Sequence, residues 1–241
     1  MKLYVVGFGC GSRNGMTLEA EQTILQGDLI VGYKTYVDLL KQMFPNKLYL
    51  STGMRQETER VRIALEESKN KNVVLVCSGD PELYGMAGLA YELSAEYPNT
   101  DIEVVAGVSA AFSGGAILGS PLTHDFAVIS LSDLLTPAER IENRLKHAAE
   151  ADFIIVLYNP SSRSRADYLS RACDLILQYR SGDTVCGFVR NIGRDGQACG
   201  VMTLNEIRDF QADMFTTVYI GNTETSVING KMVTPRGYRH V

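Results

Sequence analysis

VVLVCSGDPELYGMA, Val73 to Ala87, decides the fold. Five β-prone apolar residues in a row, Val73 to Cys77, read as a strand buried on both faces, as in a parallel sheet. The run stops on Ser78-Gly79-Asp80-Pro81. Gly79 removes the Cβ at the strand's carboxyl end, Pro81 fixes φ and cannot extend the ladder, and Asp80 places an acceptor between them. A ligand can approach so bare a backbone closely, and open α/β folds bind small molecules at the carboxyl edge of the sheet. The same residues also suit an ordinary strand-to-helix turn. The rest of the chain must separate the two readings.

Working outward, strands and helices alternate. Leu3 to Val6 (strand) precedes a helix from an N-cap at Thr17 through Gln26, followed by Leu29 to Val31 (strand) and Tyr36 to Met43 (helix). Leu48 to Leu50 (strand) and Glu57 to Ser68 (helix) lead into the decisive strand, and Tyr84 to Tyr97 reads as the helix after it. Ile102 to Val105 is a further strand, broken by Ala106-Gly107-Val108-Ser109-Ala110 and continued by a helix through Leu118. Such alternation predicts a parallel sheet with right-handed crossovers. Two of its strands end in small-residue turns, which can form one continuous pocket.

The pattern changes near Pro121, so the expected division is residues 1–121 and 122–241, with an N-terminal parallel sheet and a C-terminal mixed sheet, an α/β fold throughout. Phe126 to Leu131, Phe153 to Tyr158, Thr184 to Val189 and Thr217 to Ile220 read as strands. Thr136-Pro137-Ala138-Glu139 and Thr203-Leu204-Asn205-Glu206 have the form of capping boxes. Val227 to Val233 folds back through Asn229-Gly230, a strong hairpin signal.

Composition narrows the function. A chain of 241 residues, 45% apolar and 21% charged, is ordinary globular material. The net charge of −5 gives no general attraction to nucleic acid or an anionic membrane, so an anionic ligand must meet local arginines. The five cysteines include no CxxC pair, which argues for a reducing cytoplasm and against a zinc or iron–sulfur site. No basic-then-apolar leader precedes Leu3, and the uncharged run Val104 to Gly119 is too short and too rich in Gly and Ser for a membrane span. Gly7, Gly9 and Gly11 resemble a dinucleotide fingerprint, but the third glycine of G-x-G-x-x-G is replaced by Ser12. A dinucleotide-binding oxidoreductase is therefore the weaker alternative.

Taken together, the glycine-rich first turn, SGDPELYGMA, AGVSAA, PLTHDF, ISLSDLLTP, LYNPSSR and TPRGY resemble the two-domain tetrapyrrole methyltransferases over essentially the whole chain. PLTHDF, ISLSDLLTP and TPRGY point to the branch that methylates C17 and contracts the ring, acting on precorrin-3B or cobalt-factor III in cobalamin biosynthesis. The resemblance implies S-adenosylmethionine as cofactor, folded between two domains and held largely by backbone, with a small tetrapyrrole substrate and a homodimer. The positions it carries over are Ser78, Gly79, Asp80 and Leu83 of the GDP loop, Ser109 and Ala110 at the next helix, Asn159 after a strand-ending aromatic, and Gly187 near the end of a later strand. Cys10 stands where the family often has Pro, and Asn159 where uroporphyrinogen methyltransferases commonly have Met.

Ring contraction requires proton movement, and His124 and Asp125, in the turn between the expected domains, are candidates for that acid–base work. His124 equally suits a structural hydrogen-bonder bracing the hinge. Arg163, Arg165, Arg190 and Arg236 are candidate partners for substrate carboxylates, since guanidinium pairs with carboxylate bidentately. Tyr84 and Tyr158 are expected as walls of the cofactor site.

Overall fold

The computed structural model describes residues 1–161 and 166–238. It divides into two compact units, Met1–Ala110 and Ala111–Val241. The elements of the first are β1 (Lys2–Gly7), α1 (Leu18–Gln26), β2 (Leu29–Tyr33), α2 (Lys34–Met43), β3 (Leu48–Thr52), α3 (Glu57–Glu67), β4 (Val73–Cys77), α4 (Ala87–Ser94) and β5 (Asp101–Val105). Its sheet has the order β3-β2-β4-β1-β5, every pair parallel. β4 lies at the centre and divides its side chains between two cores. Val73, Leu75 and Cys77 pack with Leu3, Val5 and Leu65 on one face, and Val74 and Val76 with Ile24, Ile30 and Leu40 on the other. Each such burial contributes about 1.5–3 kcal/mol, which is why so apolar a run belongs in the middle of the sheet.

Helix starts follow side-chain chemistry at some positions and steric fact at others. Thr17 caps α1 as expected, its hydroxyl accepting the Ala20 N–H at 3.1 Å. The helix expected from Tyr84 starts later, at Ala87. Tyr84 takes a left-handed φ of 56°, and Gly85 lies so close to Pro81 that a Cβ would fall 2.2 Å from the Pro81 carbonyl oxygen. The turn therefore stays tight until the Ala87 N–H bonds Pro81 O at 3.0 Å.

α5 (Ala110–Leu118) leads into the second unit, followed by β6 (Gly119–Ser120), β7 (Phe126–Ser130), α6 (Ala138–Glu150), β8 (Ile154–Tyr158), α7 (Tyr168–Ile176), β9 (Val185–Arg190), β10 (Ala198–Thr203), α8 (Leu204–Arg208), β11 (Thr216–Ile220), β12 (Ser226–Ile228) and β13 (Lys231–Val233). The main sheet is mixed, in the order β10-β9-β11-β8-β7, and only β7 and β8 run parallel. β10 has no clear sequence signal, being a half-exposed edge strand containing Gly200. The Asn229-Gly230 hairpin forms with φ of 51° and 73°, and β13 also pairs parallel with β6. The Thr203 to Glu206 capping box is complete. That at Thr136 is not, because the cap position is Pro137, which makes no side-chain bond.

The units divide ahead of the Pro121 junction expected from sequence, because α5 from Ala111 onward is built into the second unit. The Tyr158 hydroxyl accepts the Ala111 N–H at 2.8 Å, and the Tyr219 hydroxyl donates to the Ala111 carbonyl at 2.9 Å. A Cβ on Gly114 would fall 2.3 Å from that Tyr219 oxygen, so only glycine admits the ring there. Among the described residues no helix is long and apolar enough to cross a membrane.

Candidate functional site

In the first unit the carboxyl ends of β4, β1 and β5 meet. The Phe8 N–H bonds Cys77 O at 3.0 Å, and Gly9 and Gly79 exchange N–H to O bonds of 3.1 and 2.7 Å. The Asp80 carboxylate spans the group, accepting Gly107 N–H at 3.0 Å on Oδ2 and Glu82 and Leu83 N–H at 2.8 and 3.3 Å on Oδ1. Asp80 is thus the acceptor that holds two turns together. The glycines are required by contact: a Cβ on Gly107 would lie 2.1 Å from Gly79 O and 2.4 Å from Gly7 O, and one on Gly7 would lie 2.5 Å from Gly79 O. Gly79 has a φ of +72°, a region glycine enters without strain.

One polar atom in this corner lacks a partner. Ser109 is only 5% exposed, and its Oγ has no hydrogen-bond partner among the described residues. Buried hydroxyls are normally satisfied, so an orphan beside a bare glycine turn is what a ligand-binding position leaves behind. Cys10 is buried, with its Sγ 3.7 Å from the Val108 carbonyl. Burial pushes the Cys77 thiol up to about 12, making it a packing group below the turn. The first-unit candidates Cys10, Ser78, Gly79, Asp80, Leu83, Ser109 and Ala110 thus fall on three adjoining turns. Close-set backbone and one orphan hydroxyl suit a small polar ligand.

The glycine loop after β1 does not form a dinucleotide site. Gly9 folds back on a short 3-10 turn, where a Cβ would fall 2.5 Å from Gly15 O, and α1 begins only at Leu18. The fingerprint instead opens its helix on the last glycine.

The remaining candidates lie in the second unit. Asn159 ends β8 with a φ of 53° and donates from Nδ2 to Ser130 Oγ at 2.9 Å, at the neighbouring end of β7. Gly187 is needed for packing, since a Cβ there would come 2.9 Å from Leu118 Cδ1. Arg190 is engaged within its unit, with Nε 3.3 Å from Asp213 Oδ2 and Nη2 donating to Gln211 O at 2.8 Å. Arg236 is exposed and bonds the Thr123 carbonyl at 3.1 Å. Arg163 and Arg165 lie outside the described residues.

His124 lies inside the second unit, not at the division between the two. Its Nε2 is 3.3 Å from Glu224 Oε2. Asp125 is exposed, and its carbonyl accepts the Ile154 N–H at 3.2 Å. The turn carrying both is fastened to the chain's terminal segment. Thr234 donates its N–H to Ser120 O at 3.1 Å and its hydroxyl to Pro121 O at 2.8 Å, and its carbonyl accepts the Thr123 hydroxyl. The Thr225 hydroxyl lies 2.8 Å from that of Thr234. Sequence reasoning missed Glu224, Thr225 and Tyr219, which touch their partners only through the tertiary fold. Tyr158, expected as a wall, uses its hydroxyl to hold Ala111.

Comparison with known proteins gives a consistent result. The family model described as Tetrapyrrole (Corrin/Porphyrin) Methylases matches residues 2–208. A probable cobalt-factor III C(17)-methyltransferase of Methanocaldococcus jannaschii is 44% identical over 98% of this chain and 97% of its own. The precorrin-3B C(17)-methyltransferase of Sinorhizobium sp is 37% identical over 98% of this chain and 96% of its own. Cobalamin biosynthesis protein CbiHC of Archaeoglobus fulgidus is 44% identical, and this chain spans 53% of its length. The crystal structure of the methyltransferase CobJ superposes with a TM-score of 0.89 at 34% identity, covering 97% of this chain and 99% of that one.

Proposed function

The chain belongs to the tetrapyrrole (corrin/porphyrin) methylases, and from that premise we propose that it methylates C17 of cobalt-factor III or precorrin-3B and contracts the ring, in cobalamin biosynthesis. The observation that carries the reading is the orphan Ser109 Oγ beside Gly79, on three glycine-bearing turns. S-adenosylmethionine supplies an already activated methyl group, so the protein's task is in-line placement and exclusion of water more than strong base catalysis. Ser78, Gly79, Leu83, Ser109, Ala110 and Cys10 hold the cofactor, largely through backbone, while Asp80 keeps the turns in register. Asn159 and Gly187 complete the cofactor-binding set. Ring contraction adds a proton transfer, assigned to His124 with Asp125 beside it. Arg236, with Arg163, Arg165 and Arg190, meets the substrate's carboxylates. A homodimer in the cytoplasm, acting without nucleic acid or membrane, completes the proposal.

The relatives named for cobalt-factor III include one at 44% identity, against 37% for that named for precorrin-3B. The cobalt-bound substrate is therefore expected to turn over faster. The test is mass spectrometry of the chain incubated with S-adenosylmethionine and either substrate, reading methylation and lactone formation. Gly79→Val forces a β-branched residue into left-handed backbone, and should leave a folded protein that no longer binds S-adenosylhomocysteine. Undiminished binding in the folded variant, or no methylated product from either substrate, would overturn the assignment.

A further inference from the structure

Helix α3 carries a charge that the fold does not balance. Arg60 is 3% exposed, and its partners are all neutral. Nε donates to Thr52 Oγ1 at 2.8 Å, Nη2 to Gly53 O at 2.7 Å and Nη1 to Met86 Sδ at 3.4 Å, while the Tyr33 ring centroid lies 5.7 Å from the guanidinium carbon. A thioether is a weak acceptor, and a guanidinium has five N–H groups to satisfy. The buried arginine of the second unit, Arg180, is paired with Asp152. Among the described residues no carboxylate lies within ion-pair distance of Arg60. Taking a cation out of water without an opposite charge is costly, and arginine cannot shed its proton to escape. Burial presses the Arg60 pKa down, and Glu57, the largest influence opposing that shift, is an exposed residue that forms no ion pair with it.

The place of this charge matters. Tyr33 ends β2, Thr52 ends β3, and Met86 closes the turn after β4 that begins with Ser78 and Gly79. The guanidinium therefore sits at the carboxyl edge of the parallel sheet, where open α/β folds bind their ligands. Its cover is thin. Gly53 belongs to an exposed loop that runs to Gln56, and the Met86 thioether is carried on a flexible stem. Neither acceptor matches a carboxylate, which pairs with a guanidinium through two charge-assisted bonds.

We propose that Arg60 is one half of an ion pair whose other half arrives with a ligand: its guanidinium receives a carboxylate of a molecule bound at this edge, in place of the Met86 thioether. The inference rests on the proposed reaction, which supplies two carriers of that group, the amino-acid end of the cofactor and the acetate and propionate arms of the tetrapyrrole. Arg60→Met replaces the cation by an apolar side chain. Because an unpaired buried charge costs stability, the unliganded variant should melt at or above the parental midpoint, while affinity for the carboxylate ligand falls roughly tenfold or more. Calorimetric titration with S-adenosylhomocysteine and with 5′-methylthioadenosine, which has no carboxylate, is set beside the tetrapyrrole KM. Loss confined to S-adenosylhomocysteine assigns the cofactor's carboxylate; a raised tetrapyrrole KM with both affinities unchanged assigns the substrate's. Arg60→Lys keeps the charge without the planar fork, so it should show the same pattern more weakly, and it decides the matter if Arg60→Met does not fold. Parental affinities and KM overturn the proposal. Equal losses for S-adenosylhomocysteine and 5′-methylthioadenosine also overturn it, since they mark a displaced turn and not a lost ion pair. Failure of the proposed reaction would show instead in the parent, as absent methylated product, and the two titrations would still test Arg60. A parent that does not bind S-adenosylhomocysteine either sinks both.

Discussion

The turn set of the first unit and the turn cluster of the second are built by opposite means. At the ends of β1, β4 and β5 backbone touches backbone, and the structural demand is for missing atoms: Gly7 and Gly107 pack against Gly79 because neither has a Cβ, and Gly79 holds a φ of +72°. Around Thr234 the demand is for particular atoms, since hydroxyls and carbonyls from three segments satisfy one another. The first arrangement fails when something is added, and the second when something is removed. Gly107→Val should therefore produce the largest effect. Its Cβ would lie 2.1 Å from Gly79 O and 2.4 Å from Gly7 O, both backbone atoms. We expect loss of about 3 kcal/mol or more, at the upper end of overpacking, with no S-adenosylhomocysteine binding. Chemical denaturation and calorimetry check both, and a stable, binding Gly107→Val protein would break the contrast.

Thr234→Val is the matching removal. It is nearly isosteric and leaves the Pro121 carbonyl without the Thr234 hydroxyl in a buried place, while the Thr225 hydroxyl keeps its bonds to Asn222. The expected loss is about 1–3 kcal/mol, read as a lower denaturation midpoint at unchanged m-value. Cofactor binding, proposed chiefly for the first unit's turns, should survive. Loss of cofactor affinity equal to that of a glycine variant would show that the two regions are not separable in this way.

The same contrast explains what was legible in the sequence. β4 was readable to the residue because burial on both faces removes any need for alternation, and Gly79 and Pro81 mark its end. The Thr203 cap and the Asn229-Gly230 turn were readable because each is local. Failures came where a local signal met a tertiary or steric fact. Thr136 has the right pattern, yet Pro137 occupies the cap position, and Tyr84 reads as helical although the Gly85 contact with Pro81 holds it left-handed. The compact units divide at Ala111, ahead of Pro121, where two tyrosines bond Ala111, Tyr219 lying 108 positions further along the chain. The Glu224 and His124 pair is of that kind. No periodicity marks residues that meet only after several strands have paired.

Arg236→Ala should have the smallest effect on stability and sharpens the contrast most finely. Its side chain is exposed and makes one bond, to the Thr123 carbonyl at 3.1 Å. Surface changes of that kind fall within about 0.5 kcal/mol. Arg190 differs: its guanidinium lies 3.3 Å from Asp213, bonds Gln211 O at 2.8 Å, and sits over the Phe210 ring, 5.9 Å from its centroid. If the Arg236 guanidinium meets a substrate carboxylate, Arg236→Ala should raise the tetrapyrrole KM several-fold and weaken its dependence on salt, leaving the KM for the methyl donor alone. Arg190→Ala should instead show up first in the denaturation midpoint, because the side chain already has partners. Steady-state kinetics at two ionic strengths, alongside denaturation of both variants, separates the cases. Equal KM changes with equal destabilisation would mean that Arg236 supports the turn holding His124 and recognises nothing, and the carboxylates would then have to be met by Arg163, Arg165 or another donor.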